Sequence, residues 1–183
     1  SNFIYLKLHK KYLKSYIREN GKPDGIHVYI GLKSGMAALF LKWRFQIPYV
    51  VSEQWSGLCP EAHPSYNEKP LIFRWLWKLV MKNAAGYSAV SKYLAEAMQD
   101  LFSLKDVMVI PNVVDSTVFY PSGFNADNIQ FIHISTLKFQ KNVEQILEAT
   151  AILKKRLPAF SLLIFGEPNN ELKALTHTLN IQD

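Results

Sequence analysis

The order of hydrophobic and polar positions along the chain predicts helices and strands in alternation. Residues 3–20 place Ile4, Leu8, Tyr12 and Tyr16 four apart, the spacing of one face of an amphipathic helix. Shorter apolar runs bounded by Gly, Pro and Asn are typical of strands. Helices are predicted over residues 3–20, 34–45, 71–83 and 91–102, and strands over residues 25–31, 47–55, 84–91 and 106–112.

These elements also predict the fold class. Val107–Ile110 is continuously apolar, which indicates a strand that is buried on both faces of its sheet. Strands that alternate with helices favour a parallel, doubly wound sheet, so the predicted class is α/β. Ser34 and Ser91 begin two of the predicted helices and are candidate N-caps.

The pattern changes after Pro111. Residues 111–128 combine two prolines, a glycine and several Asn, Asp and Ser residues without any periodicity. A loop of ~18 residues is unusual inside a compact domain, so a crossing between domains is the better interpretation. We therefore predict one domain with its linker over residues 1–125 and a second domain over residues 126–183.

Both predicted domains are expected to be incomplete. The second holds two strands and two helices, which leave long sheet edges unpaired, and the first opens on a helix with no strand before it. The chain is therefore expected to be an internal piece of a longer protein.

Composition and charge narrow the possible environments and partners. The single cysteine, Cys59, excludes an internal disulfide and suits a reducing compartment, so a cytoplasmic location is expected. The five histidines are scattered without metal-ligand spacing, and no metal site is predicted. Residues 1–110 carry 15 Lys and Arg against 8 Asp and Glu, whereas residues 111–183 carry 6 against 7, so the first part is expected to meet an anionic partner.

Five segments carry a resemblance to a known family. PDGIHVYIG, PYVVSEQW and GYSAVSKYLAEAM are followed in order by VIPNVVDSTVFYP and FIHISTLKFQKNVEQILEATAILKKRLPAFSLLIFGE. Together they resemble the retaining glycosyltransferases of family 4, also called the glycosyltransferase group 1 family. The resemblance runs from about Pro23 to the C-terminus, and it implies two Rossmann-like domains of the GT-B type, facing each other across a cleft.

The resemblance also implies partners. Such enzymes bind a nucleotide-sugar donor mainly on the second domain and a saccharide or lipid-linked acceptor mainly on the first. They typically need no metal or other cofactor, and many serve polysaccharide or glycolipid biosynthesis. The family's paired glutamates would lie beyond Asp183, so the chain is expected to be inactive alone, and its donor and acceptor cannot be identified from the sequence.

The loop after Leu137 supplies most of the candidate donor site. A leaving nucleoside diphosphate gains negative charge, which lysine and the backbone N–H groups of a helix start can stabilise without a metal. Lys141 is expected at such a helix start, and the family's loop around it implies a phosphate-binding role; the alternative is an ordinary surface lysine. The family's arginine position corresponds to Thr136, which is neutral, and Lys138 is the candidate substitute.

A second loop completes this candidate donor site. FGEPNN keeps the first glycine of the family's turn and lacks the second. Gly166 would permit close approach of the backbone to the nucleotide, and Glu167 could accept a hydrogen bond from the ribose or the base. The alternative is a plain strand-to-helix turn.

The candidate acceptor-side residues depart more from the family. Gln54 takes the place of a histidine that relatives often carry; it cannot titrate, so no general base and no catalytic residue is assigned. Trp55 is a candidate for stacking on a sugar face, with simple packing as the alternative. Ser91 could contact phosphate as well as cap its helix, and His27 is expected to be a buried core histidine.

A membrane surface is a further candidate partner. Cations beside an interfacial tryptophan suit an anionic membrane, so a peripheral enzyme at the cytoplasmic leaflet would be coherent; a solvated helix face is the alternative. No signature of a nucleic-acid-binding fold is present, so nucleic acid is not expected as a partner. The residues concerned are Lys7, Lys10, Lys11, Lys14 and Arg18 on the first helix, and Arg74, Lys78 and Lys82 beside Trp77 on the third.

Three functions remain open on this evidence. The first is sugar transfer from a nucleotide donor to a hydroxyl group. The second is a nucleotide-sugar epimerase on the same two-domain fold, against which the non-titrating Gln54 argues. The third is a non-catalytic module that binds a nucleotide sugar or a lipid, which Thr136 and Gln54 would both allow.

Overall fold

The computed structural model describes residues 2–121, 129–157 and 159–181, and it divides the chain into two compact units, Ser1–Val113 and Val114–Asp183. The predicted domain boundary between residues 125 and 126 lies outside the described residues. Each unit is an α/β structure with a parallel sheet, in agreement with the predicted fold class.

The first unit is built on a four-stranded parallel sheet whose strand order follows the sequence, β1-β2-β3-β4. Its first and third helices match their predicted positions closely. The elements are α1 (Asn2–Asn20), β1 (Ile26–Tyr29), α2 (Gly31–Phe45), β2 (Tyr49–Glu53), α3 (Leu71–Asn83), β3 (Gly86–Ala89), α4 (Lys92–Phe102) and β4 (Met108–Val109), with short 3-10 turns at Ser56–Leu58 and Tyr66–Glu68.

One N-cap prediction is confirmed and the other is wrong. The hydroxyl of Ser91 accepts a hydrogen bond from the backbone N–H of Leu94 at 3.2 Å and caps α4. Helix α2 begins earlier than predicted, at Gly31, and Ser34 lies inside its first turn. The Ser34 hydroxyl donates to the carbonyl of Ile30 at 2.7 Å. The backbone N–H of Gly31 at the helix start is bound by the Glu53 carboxyl group from the neighbouring strand β2.

The sheet of the first unit is covered by helices on one face. Sequential parallel strands with right-handed crossovers place α2, α3 and α4 on the same side. Strand β2 therefore alternates, with Tyr49 and Val51 buried and Val50 exposed. The predicted burial of Val107–Ile110 on both faces is wrong: Met108 is 65% exposed, because β4 is a two-residue edge strand and no described residue covers its outer side.

The core lies between this sheet and the helices, and Trp77 is at its centre. The Trp77 indole stacks on Trp55 with ring centroids 5.3 Å apart, and Tyr66 meets it edge-on at 5.7 Å. The Tyr49 hydroxyl donates to the carbonyl of Val80 and ties α3 to β2. Trp77 is only 3% exposed, so its predicted place beside surface cations at a membrane interface is wrong.

The second unit pairs β5 (Ile129–Ile134) with β6 (Phe160–Phe165) in parallel, with Ile134 opposite Phe165. A 3-10 turn at Phe139–Lys141 leads into α5 (Val143–Lys154), and α6 (Asn170–Thr178) follows β6. A small core joins the helices to one face of the strands; its buried members are Val143, Leu147 and Leu172.

Close packing between α2 and α3 depends on a glycine. A Cβ atom at Gly35 would lie 2.4 Å from Cγ1 of Val80, a buried β-branched side chain with little freedom to move. We expect Gly35→Ala to lower the free energy of unfolding by about 1–2 kcal/mol, because overpacking outweighs the gain in helix propensity. Urea unfolding of the variant measures this change.

Two further variants make this measurement specific. Gly25→Ala adds a Cβ whose nearest neighbour is the Pro48 carbonyl oxygen at 3.8 Å, so it should leave stability almost unchanged. The double variant Gly35→Ala/Val80→Ala should lose less stability than the sum of the two single changes. Simple additivity would contradict a direct clash between positions 35 and 80.

Candidate functional site

Polar side chains gather where the strands of the first sheet end. In open parallel sheets, ligands bind at the carboxyl edge, where successive loops meet. Tyr29 ends β1, Gln54 follows β2, Ser91 follows β3 and Asn112 follows β4. This edge is therefore the natural candidate site of the first unit.

A buried carboxylate organises the edge. Glu53 is the last residue of β2 and is 0% exposed. Its Oε2 accepts from the backbone N–H of Gly31 at 2.9 Å, and its Oε1 accepts from the N–H groups of Gln54 and Trp55, both at 3.0 Å. One side chain thus caps α2 and holds the loop after β2.

The ionisation of Glu53 is governed by opposing effects. Burial removes the carboxylate from water and raises its pKa above the usual value, while the three backbone N–H groups act in the opposite direction. The neighbouring Trp77 indole N–H is buried without a hydrogen-bond partner among the described residues. A side chain at Gly31 would collide with both groups, which explains the glycine at this helix start.

Gln54 is held in one orientation by two neighbours. Its Nε2 donates to the Tyr29 hydroxyl and, at 2.9 Å, to Oδ1 of Asn112. Both amide hydrogens are engaged in this way, which leaves the Gln54 carbonyl oxygen as the acceptor that this cluster offers. The amides of Gln54 and Asn112 can orient a ligand hydroxyl group, but they do not titrate and cannot remove its proton.

The cluster lines a cavity of about 1060 Å³ that continues over the open face of the sheet. A hydrogen-bonded row crosses this face: His27 Nε2 lies 2.7 Å from Ser52 Oγ, which lies 2.6 Å from Ser88 Oγ. The expectation that His27 is a core histidine is wrong. Its side chain is exposed, because β1 has no covering element on that face in the described part of the chain.

Two predicted acceptor-side residues have structural roles. Trp55 packs against Trp77, the Lys69 amine lies 5.6 Å from its ring centroid, and a Cβ at Gly57 would come within 2.0 Å of the ring. The ring is partly buried against the core and is not among the residues that line the cavity, so the contacts seen here are those of the packing alternative. Ser91 lies at the edge, but its oxygen is used as the α4 cap.

In the second unit, Gly166 brings two loops together. It has φ 156°, and a Cβ there would lie 2.4 Å from the carbonyl oxygen of Ser135 and 2.6 Å from Cγ of Leu137. The backbone of the β6 loop therefore packs directly against the β5 loop. Thr136 and Glu167 are exposed on these adjoining loops.

Lys141 lies slightly outside its expected position. It ends the 3-10 turn, two residues before α5 begins at Val143, and its side chain is exposed. None of the ion pairs in residues 2–121, 129–157 and 159–181 involves Lys141 or the neighbouring Lys138. Asn142 adopts a left-handed conformation between the two helices and provides no side-chain cap for α5.

Comparison with protein families assigns both units. The model of the glycosyl transferase 4-like domain matches residues 10–113, more than half of the chain. The model of glycosyl transferases group 1 matches residues 115–183. The chain belongs to the glycosyltransferase group 1 family. The resemblance to the glycosyltransferase group 1 family seen in the sequence is thereby confirmed. A comparison of the chain with curated proteins found no match.

Solved structures agree on the fold. An S. aureus MnaA-UDP co-structure matches 100% of the chain and 52% of its own length, with a TM-score of 0.53 and 17% identity. A putative UDP-N-acetylglucosamine 2-epimerase from Listeria monocytogenes matches 98% of the chain and 50% of its own length, with a TM-score of 0.59 and 16% identity. The chain thus spans about half the length of these two structurally similar proteins.

The sequence did not indicate the role of two site residues. Glu53 continues the alternation of buried positions that begins with Tyr49 and Val51 in β2, and this alternation could have indicated that its side chain is buried. Asn112 was visible only as part of the segment after β4, and its contact with Gln54 spans 58 positions. Such a contact depends on the tertiary fold.

The Glu53 cluster yields a stability prediction. Replacing Glu53 by Gln turns an amide NH₂ toward backbone N–H donors, so the free energy of unfolding at pH 7 should fall by about 1–3 kcal/mol. Because the pKa of Glu53 is raised in the fold, its protonated form is favoured there. Its contribution is therefore complete below the unfolded pKa and is lost as the pH rises through the folded one.

The advantage of the wild type over Glu53→Gln should accordingly shrink as the pH rises from the ordinary pKa of a glutamate, about 4.3, through the raised pKa of the folded state. Urea unfolding at several pH values measures it. Glu96→Gln is the matched control: Glu96 is exposed, 3.8 Å from Lys92, and should change stability little at any pH. An advantage that grows with pH would contradict the raised pKa.

Proposed function

We propose that this chain is part of a retaining glycosyltransferase, which moves a sugar from a nucleotide-sugar donor to a hydroxyl group of a saccharide or lipid-linked acceptor. The observation that carries the proposal is the match of glycosyltransferase models to both units. Polysaccharide or glycolipid biosynthesis in the cytoplasm is the setting we propose for this transfer.

The donor diphosphate is assigned to the second unit. As the bond between the sugar and the phosphate oxygen breaks, negative charge develops on the leaving group and requires preorganised positive charge. Lys138 and Lys141 supply it from the 3-10 turn just before α5. The first N–H groups of α5 are not capped by the Asn142 side chain, and the positive end of the helix dipole lies there. We assign these groups the role that a metal ion plays in other transferases.

The rest of the nucleotide is assigned to the adjoining loops. Gly166 brings the β5 and β6 loops into direct contact, and we assign the nucleotide to this pair of loops. Glu167 beside it is exposed and can accept a hydrogen bond from a ribose or base. Thr136 offers a hydroxyl group where an arginine would form two parallel hydrogen bonds, so the lysines carry more of the charge.

The acceptor is assigned to the carboxyl edge of the first sheet. The free carbonyl oxygen of Gln54 can accept a hydrogen bond from the incoming hydroxyl group, while Tyr29 and Asn112 hold the amide still. Because Gln54 cannot take a proton, we propose that the leaving phosphate receives it. Ser91 follows β3 at the same edge, and we keep it as a candidate contact for the acceptor.

A nucleotide-sugar epimerase is the second candidate. It is favoured by the fold match to the putative UDP-N-acetylglucosamine 2-epimerase from Listeria monocytogenes. At 16% identity the match concerns the fold, and the non-titrating Gln54 in the cavity suits epimerase chemistry poorly. A non-catalytic binding module is the third.

One assay separates the three candidates. The complete protein is incubated with a panel of nucleotide sugars, uridine diphosphate sugars first, with and without an acceptor mixture. A transferase releases nucleoside diphosphate in an acceptor-dependent way, an epimerase yields an isomerised nucleotide sugar, and a binding module does neither. We expect acceptor-dependent release that persists in EDTA; release abolished by EDTA and restored by Mg²⁺ would contradict the role given to the lysines.

Lys141 provides the residue-level test. Lys141→Ala in the complete protein should lower turnover roughly 10²–10³-fold, by analogy with the loss of one oxyanion donor, and Lys141→Arg should retain more activity. Lys155→Ala, at the opposite end of α5, is the matched control and should leave turnover unchanged. Equal turnover of Lys141→Ala and wild type would remove Lys141 from the donor site.

A further inference from the structure

Helix α3 exposes an ordered stripe on the side that faces away from the sheet. Leu71, Trp75, Lys78 and Lys82 follow one another at intervals of four, three and four residues, which places them on one helical face. Leu71 is 78% exposed and Trp75 is 57% exposed, with Ile72 beside them at 58%. The opposite face of α3 carries the buried Trp77, Val80 and Met81.

The stripe has a polarity along the helix. Its first turns present Leu71, Ile72 and Trp75, and its later turns present Lys78 and Lys82. The 13 residues of α3 include three basic residues and no acidic residue. Arg74, the third cation, lies over the Tyr66 ring at 5.3 Å and is not part of the stripe.

The apolar end of the stripe lies on the side of the candidate site. Helices α2 and α3 run in the same direction, since Gly31 lies against Trp77 and the Lys42 amine donates to the carbonyl of Asn83. Gly31 is the first residue of α2, at the carboxyl edge of the sheet. Leu71 precedes Trp77 by six residues, so the start of α3 extends about 9 Å past the start of α2.

We propose that this stripe docks the protein on an anionic lipid bilayer. Tryptophan and aliphatic side chains enter the interface between headgroups and acyl chains, and lysines beside them meet the negative surface potential. Charge complementarity favours this occupant, because the first 110 residues carry a net charge of +7. No helix in the described part of the chain is long and apolar enough to cross a membrane.

The position of the stripe connects docking to the acceptor. A bilayer that holds the start of α3 would lie near the edge that carries Gln54 and Tyr29, so a saccharide attached to a lipid could reach it from the membrane. This connection rests on the proposed transfer. The docking itself does not, because vesicle binding can be measured without any sugar donor.

The test is co-sedimentation of the complete protein with vesicles of phosphatidylcholine, alone or with phosphatidylglycerol. We expect binding to the anionic vesicles, weakened by salt. Lys78→Glu/Lys82→Glu should weaken it about 20-fold or more, since each lysine near an anionic surface is worth roughly a fivefold change in partition. Leu71→Ser/Trp75→Ser should weaken binding while leaving its salt dependence in place.

The matched control is Lys7→Glu/Lys11→Glu on α1, which makes the same charge change at the same spacing on another basic helix; both lysines are exposed. It should reduce binding much less than the α3 change. Equal losses would show general charge attraction and overturn the assignment to α3. Absence of binding, or equal binding to neutral and anionic vesicles, would overturn the proposal altogether. Circular dichroism of each variant confirms that it is folded.

Discussion

The site of the first unit depends on one buried carboxylate and the three backbone N–H groups that it accepts. Glu53 joins the end of β2 to the start of α2 and to the loop that carries Gln54. A buried carboxyl group is costly unless its oxygens are hydrogen-bonded, so the full burial of Glu53 depends on these three donors. These contacts also fix the positions of the two neighbouring site residues, because Tyr29 lies two residues before Gly31 and the Gln54 N–H is itself one of the three donors.

The second unit solves the same problem with a backbone contact in place of a charge. Gly166 lies so close to the Ser135 carbonyl that any side chain would separate the β5 and β6 loops. The two units thus join neighbouring loops at a carboxyl edge by different means. In the first unit the link is the Glu53 side chain between strand and helix. In the second unit it is a direct backbone contact, which is possible because Gly166 has no side chain. Both leave polar groups exposed beside a helix start.

The sequence predicted much of the fold and less of the site, and the reason is physical. Helix α3 and the Ser91 cap depend on periodicity and local hydrogen bonds, which neighbouring residues determine. Ser34 failed as a cap because Glu53, distant in sequence, supplies the acceptor. The predicted burial of Val107–Ile110 was wrong because an apolar residue can cover a core or form an exposed edge, and only the packed structure distinguishes these outcomes.

The hydrogen-bonded row His27–Ser52–Ser88 has a consequence for whatever segment meets the open face of the first sheet. The Ser52 hydroxyl already exchanges hydrogen bonds with both neighbours across three strands. An apolar layer could therefore shield this row from water without stranding the central hydroxyl. Because these polar groups bond to one another, this face of the sheet could be covered by an apolar segment as well as by water.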